Sequence, residues 1–207
     1  MPVLALKNIR QTGIRALNLD EDDELINVMG TTGAQNILIA TRDGLAICFA
    51  ETDVRPMGRQ ATGVRGITLR EGDVVVGAEI AMPGTYVLSI TENGYGKRTP
   101  MEEYLRGDDV QRRGGKGRRN HNITDKTGPV TAVKLVSGEE DVLSVSDDGT
   151  MIRMAADGIS ITGRATQGVR VMRVAEGSKV ISVALTERAE EAETEAPAEA
   201  ETAETKE

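Results

Sequence analysis

Ile37-Leu38-Ile39-Ala40-Thr41-Arg42-Asp43-Gly44 is an extended apolar run that ends on a turn signal, and a second apolar run, Leu45 to Phe49, follows at once. The same pattern returns as Val87-Leu88-Ser89-Ile90-Thr91-Glu92-Asn93-Gly94 and as Val142-Leu143-Ser144-Val145-Ser146-Asp147-Asp148-Gly149, so the turn glycines stand at near-equal intervals. Each is followed by another extended run, Tyr95 to Thr99 and Thr150 to Met154. Short β-branched runs joined by Asp-Gly or Asn-Gly are antiparallel hairpins, and these dipeptides predict type I′ turns with positive φ at both central positions. Three hairpins at a fixed period mean a repeat protein.

Two further signatures share the period. A corner reads Thr12-Gly13-Ile14-Arg15, then Thr62-Gly63-Val64-Arg65, then Thr166-Gln167-Gly168-Val169-Arg170, and Gly117 falls at the same place in its own repeat, close to midway between Gly63 and Gly168. An opening strand is predicted at Glu24 to Val28, Asp73 to Ala78, Val130 to Val136 and Lys179 to Leu185. The chain therefore divides into whole repeats over about 20–69, 70–123 and 124–174, with partial repeats at 1–19 and 175–186. An all-β, propeller-like architecture of about four blades of four strands each follows, closed by packing or pairing of 3–19 with 175–186.

Composition fits many short strands around a small aliphatic core. The 207 residues include 23 Gly, no Trp, one Phe and three Tyr (Tyr86, Tyr95, Tyr104), which are read as structural. The single cysteine, Cys48, lies in an apolar run and reads as a buried, reduced thiol, so no disulfide framework is available. No apolar run is long enough to span a membrane and no signal-peptide layout opens the chain, which predicts a cytoplasmic protein without a membrane partner. The formal net charge of -8 is unevenly placed: residues 187–207 hold nine acids and two bases, and Ala, Glu and Thr dominate there, so this segment reads as a disordered acidic tail. The rest of the chain, 1–186, is nearly neutral.

One segment concentrates positive charge. Gln111-Arg112-Arg113-Gly114-Gly115-Lys116-Gly117-Arg118-Arg119 carries five bases and no acid, and its three glycines let backbone N–H groups approach a phosphate while the side chains neutralise it. Gly115-Lys116 is followed by Gly117 rather than by Ser or Thr, so this is not a P-loop. Arg15, Arg65 and Arg170 recur at one corner of the repeat and are candidates for the same surface, as are Lys97 and Arg98 after the second hairpin and Arg55 and Arg59 before a corner. His121 is the only histidine and reads as a surface or phosphate-proximal residue. With one His and one Cys, neither a nucleophilic triad nor a metal site can be assembled, and Asp20 to Glu24 lacks the spacing of a calcium loop, so no catalytic, metal or cofactor-binding residue is assigned. Sparse aromatics argue against a single-strand binder built on stacking platforms.

Gln111 to Gly117 agrees at all seven positions with the box motif of the C-terminal domain of the bacterial DNA gyrase A subunit, and the chain from about Leu4 to Leu185 resembles that domain. The resemblance implies a β-pinwheel that wraps duplex DNA around its rim, sequence-tolerantly, in support of negative supercoiling by a gyrase catalytic core. It also implies that the domain itself is not an enzyme, since the strand-cleaving tyrosine of gyrase lies in another domain. Acidic tails in this family are credited with regulation, which makes residues 187–207 a candidate competitor for the DNA surface. The family commonly has six blades with the box near their start, whereas here it falls in the third of three whole repeats. Two other readings are a propeller-type protein-interaction module and the related domain of topoisomerase IV, which lacks a strict box.

Overall fold

In the computed structural model, which describes residues 1–9, 11–105 and 110–188, the three predicted hairpins are present and carry the architecture. The first is β1 (Asn36–Thr41) and β2 (Leu45–Ala50), the second β4 (Tyr86–Thr91) and β5 (Tyr95–Pro100), the third β8 (Glu140–Ser146) and β9 (Met151–Ala155). The opening strands of the following repeats are β3 (Val75–Ala81), β7 (Val130–Val136) and β11 (Val180–Glu187), and two corners supply the two-residue strands β6 (Arg118–Arg119) and β10 (Val169–Arg170). Among the described residues the only helical segments are 3-10 turns of three or four residues.

The hairpin turns differ from the predicted type. Among the described residues none but glycine has positive φ, so Asp43, Asn93 and Asp148 are not left-handed. Instead the N–H of Gly44 donates to the Thr41 carbonyl at 3.1 Å, with Gly94 to Thr91 and Gly149 to Ser146 at 3.0 Å. Each loop is a type I turn closed by a single left-handed glycine, at φ 76°, 76° and 85°. That three-residue connection uses the same dipeptide as a type I′ turn, with the glycine alone taking the conformation that only it adopts without strain.

Each four-stranded blade is assembled from three places in the sequence, and the three-stranded one from two. The first sheet runs β3-β1-β2-β6, the second β7-β4-β5-β10, and the third, with three strands, β11-β8-β9. In the first two sheets a hairpin is thus flanked on one side by the opening strand and on the other by the corner of the next repeat. All neighbours are antiparallel. Consecutive blades are joined by a recurring bond, the Arg42 carbonyl accepting from Val130 N–H at 2.9 Å and the Glu92 carbonyl from Val180 N–H at 2.8 Å. The Glu92 carboxylate also meets Arg42 at 3.0 Å and Lys179 at 2.9 Å.

The core is aliphatic and lies between blades. Leu38, Ala40, Ala46, Cys48, Val87, Val130 and Val133 pack between the first and second, with Met101 and Tyr104. Leu88, Ile90, Val136, Val142, Met172 and Val180 pack between the second and third. Burying each Val, Leu or Ile contributes about 1.5–3 kcal/mol, which lets stacked sheets replace a single large core. Burial pushes the Cys48 thiol up to about 11, so it stays protonated.

Three expectations are corrected at the ends of the chain. Residues 24–28 form no strand and leave Leu25, Ile26 and Val28 exposed at 56%, 54% and 79%. An opening strand pairs with a hairpin that precedes it, and among the described residues before residue 24 there is none for it to pair with. Among the described residues, segments 3–19 and 175–186 share no ladder, the pairing half of the expected closure: β11 lies on β8, whereas Asn18 bonds to Gln60 and Ala61. Among the described residues the ladders form two four-stranded sheets and one three-stranded sheet. At the predicted start of the tail, Glu187 still pairs with Glu140 in β11 and Arg188 binds Asp157 at 2.8 Å. Residues 189–207 lie outside the described residues.

Candidate nucleic-acid interface

The recurring corner is built around one glycine per repeat. Gly13, Gly63, Gly117 and Gly168 all have positive φ, at 75°, 97°, 73° and 70°. At Gly117 a Cβ would lie 2.7 Å from the Ala46 carbonyl oxygen, and at Gly168 it would lie 2.5 Å from that of Gly96, so both close approach and backbone conformation require glycine there. Four residues beyond the glycine the chain drops a side chain into the blade: Ile67, His121 and Met172 are 6%, 1% and 1% exposed.

His121 is accordingly an interior residue, a correction to the surface position expected for it. Its Nδ1 lies 3.0 Å from Ser89 Oγ and its Nε2 3.0 Å from the Gln167 carbonyl. A carbonyl only accepts, so Nε2 carries the proton and Nδ1 accepts from the hydroxyl. Burial, with the Lys97 ammonium adding to it and the Gln167 hydrogen bond opposing, pushes the imidazolium down to about 4.

The cationic box does not present all its charges in one way. Arg112, Lys116 and Arg119 are exposed, and no carboxylate among the described residues pairs with them. Arg113 and Arg118 are half-buried and turned onto backbone, Arg113 to the carbonyls of Arg65 and Asp53 and Arg118 to that of Leu105. Gln111 anchors the entrance, its N–H donating to the Cys48 carbonyl at 2.8 Å. Gly114 and Gly115 lie against the preceding corner, with Gly114 N–H on the Gly66 carbonyl and Thr68 Oγ1 donating to the Gly114 carbonyl at 2.7 Å.

Of the remaining predicted cations, Arg15 and Arg65 are exposed at their corners. Arg170 is exposed as well but held, its Nη2 donating to Tyr95 Oη at 2.9 Å and its guanidinium 5.3 Å from that ring. Lys97 and Arg98 are corrected outright, being 0% and 6% exposed. Lys97 Nζ donates to the carbonyls of Gly163 and Arg164 at 2.8 and 2.7 Å, and burial pushes it down to about 8. Arg98 donates to the carbonyls of Ile159 and Asp157 and lies over the Tyr86 ring. Both brace the last corner from beneath and cannot reach a duplex.

Successive corners touch, and they touch in the same way. Asn18 N–H donates to the Ala61 carbonyl at 3.2 Å, Thr68 to Gly115 at 2.8 Å, and Asn122 to Thr166 at 3.0 Å. Beside each lies an arginine bond to the carbonyl of a corner arginine: Arg59 Nη1 to Arg15 at 3.4 Å, Arg113 Nη1 to Arg65 at 2.5 Å, Arg164 Nη1 to Arg119 at 3.2 Å. The corners bearing Arg15, Arg65 and the box thus form one continuous rim that runs on to Arg164 and Arg170. Arg164 was missed by sequence reasoning, although it stands before Gly168 as Arg113 stands before Gly117.

The family model described as "DNA gyrase C-terminal domain, beta-propeller" matches residues 1–31, 35–82, 85–137 and 140–187. The DNA gyrase A subunit of Staphylococcus epidermidis is 47% identical over 178 residues, covering 85% of this chain and 20% of that protein. Its Staphylococcus aureus counterpart is 46% identical over 188 residues, covering 90% and 21%. This chain therefore spans about a fifth of the length of those relatives. A solved DNA gyrase A C-terminal domain superposes with a TM-score of 0.75 at 27% identity, covering 84% of this chain and 58% of that one. The C-terminal domain of a DNA topoisomerase IV superposes at 0.81 with 22% identity, over 88% and 56%, a likeness of fold.

Proposed function

The chain belongs to the DNA gyrase C-terminal domain family, and from that premise we propose that it binds duplex DNA along its rim and bends it, without reading base sequence. The observation that carries this is the set of exposed cations Arg112, Lys116 and Arg119, paired with no carboxylate among the described residues, on glycine-shaped backbone continuous with the corners of Arg65 and Arg15. Exposed cations fixed on a rigid edge act by displacing counterions from phosphate, and a curved edge favours the bent duplex that touches more of it. No residue is assigned a chemical step. The role is that of an accessory domain of a gyrase A-type protein, with a gyrase catalytic core as its protein partner and the bacterial cytoplasm as its place of work. The strict box and the identities of 47% and 46% to staphylococcal gyrase support the gyrase over the topoisomerase IV assignment. For residues 189–207 the same reading proposes an acidic competitor for the rim.

Salt titration of duplex binding tests the proposal. Replacing Arg112, Lys116 and Arg119 with Ala removes three phosphate contacts, so the slope of log affinity against log salt becomes shallower by about three units, roughly one per contact. Thermal stability stays close to that of the parent, because exposed unpaired charges contribute little to folding. Parental affinity and slope in that variant would refute the assignment and leave a protein-interaction module as the reading.

A further inference from the structure

We propose that Arg59, Arg113 and Arg164 are positioning residues that fix the step from each cationic corner to the next, and so set the path of the duplex, without binding phosphate themselves. The inference rests on the reading of the rim as a DNA surface and concerns residues that a census of positive charge would count as contacts.

Three features support it. The bond recurs at one offset before the corner glycines Gly63, Gly117 and Gly168, and its acceptor is each time the carbonyl of the preceding corner arginine, Arg15, Arg65 or Arg119. Holding that carbonyl fixes the peptide from which an exposed guanidinium projects. Secondly, each arginine works beside a backbone bond, Asn18 to Ala61, Thr68 to Gly115 and Asn122 to Thr166. A single hydrogen bond between two loops leaves rotation about its axis, whereas a second bond displaced by two or three residues removes it. Lastly, Arg113 is already engaged: its Nε is 3.4 Å from the Asp53 carbonyl, its Nη1 is on Arg65, and its own N–H is 3.5 Å from Asp53 Oδ2. Arg164 N–H similarly donates to Glu103 Oε2 at 3.1 Å. A planar fork reaches two acceptors at fixed angle, which a lysine ammonium does not reproduce.

The last corner supplies a contrast. Among the described residues no such arginine follows Arg170, and there the guanidinium itself is held, against Tyr95. A corner that lacks the arginine tie thus immobilises its arginine by another route.

The test compares Arg113→Ala, Arg113→Lys and Arg164→Ala with Arg112→Ala in the full chain. Without DNA, amide exchange at Thr68 is expected to rise about tenfold in both Arg113 variants, and at Asn122 in Arg164→Ala, as the paired bond loosens. With duplex, Arg112→Ala gives a salt slope shallower by about one unit. The Arg113 and Arg164 variants keep the parental slope but change the linking number fixed per bound protein when nicked circles are closed. Parental exchange at Thr68 and Asn122 would overturn the clasp whatever DNA does. A slope loss of about one unit in Arg113→Ala, or full rescue of exchange and linking number by Arg113→Lys, would show that charge rather than geometry is used. Parental DNA binding by Arg112→Ala and by the triple Ala variant at Arg112, Lys116 and Arg119 would instead refute the function proposed above, and with it the link from clasp to DNA path.

Discussion

Acidification should weaken this fold through His121 before most carboxylates titrate, and the effect can be isolated by one substitution. In the folded chain the imidazole is 1% exposed and its imidazolium is pushed down to about 4, chiefly by burial and then by the Lys97 ammonium. In the unfolded chain it titrates near the ordinary value of about 6.5. Between these values the unfolded state binds a proton that the native state does not, so stability rises with pH through the window. The contribution is complete above about pH 6.5 and is lost as pH falls toward 4; at about 1.36 kcal/mol per unit the loss is about 2 kcal/mol by pH 5 and about 3 kcal/mol by pH 4. Met is the informative replacement, because Met172 fills the equivalent place in the next blade at 1% exposure. Leaving Ser89 Oγ and the Gln167 carbonyl without their partner costs the variant about 1–3 kcal/mol at neutral pH. Its stability should nevertheless change little between about pH 7.5 and 5. Urea unfolding at three pH values across that window measures both chains. Equal losses on acidification in His121→Met and its parent, or His121 ring protons that titrate near the ordinary histidine value in the native spectrum, would refute the account.

Gly117→Ala should destabilise by about 2–4 kcal/mol, combining left-handed backbone with the 2.7 Å approach to Ala46, whereas Gly63→Ala, with open space around it, should cost about 1–2 kcal/mol; denaturant midpoints with unchanged m-values would check the pair. A chain ending at Arg188 lacks eight acids and one base of the tail, and should bind duplex DNA more tightly than the full chain at low salt, with the difference shrinking as salt rises. Equal affinities across the salt range would leave the tail a role in solubility alone.

Much of this was legible in the sequence because the repeat spaces glycines and strands alike. The hairpins at Asp43-Gly44, Asn93-Gly94 and Asp148-Gly149 and the corner glycines at 63, 117 and 168 all stand where the period puts them. What failed depended on partners. Residues 24–28 have strand composition, but a strand forms only against a ladder, and none of the described residues offers them one. Lys97 and Arg98 look like free cations because charge usually means solvent, yet β5 is buried on both faces and alternation offered no warning. His121 could have been placed by continuing the corner comparison two residues past the arginine, where Ile67, His121 and Met172 fall in register. The same comparison, run backwards from the glycine, aligns Arg59, Arg113 and Arg164, and assigns Arg113 a neighbour within the protein as well as a place in the box.

The assembly of each blade from separated segments, three in the four-stranded blades and two in the other, means that the unit of sequence and the unit of structure are out of phase. A repeat excised at its sequence boundaries would carry a hairpin without its flanking strands, plus strands that belong to other hairpins, and so could not fold as a blade. Duplicating such a repeat inside the array is a different matter, because the inserted strands and the inserted hairpin are taken up by their neighbours on both sides. An architecture of this kind can lengthen or shorten by whole steps while its internal joints remain satisfied, and the edges it cannot pair collect only at its two ends.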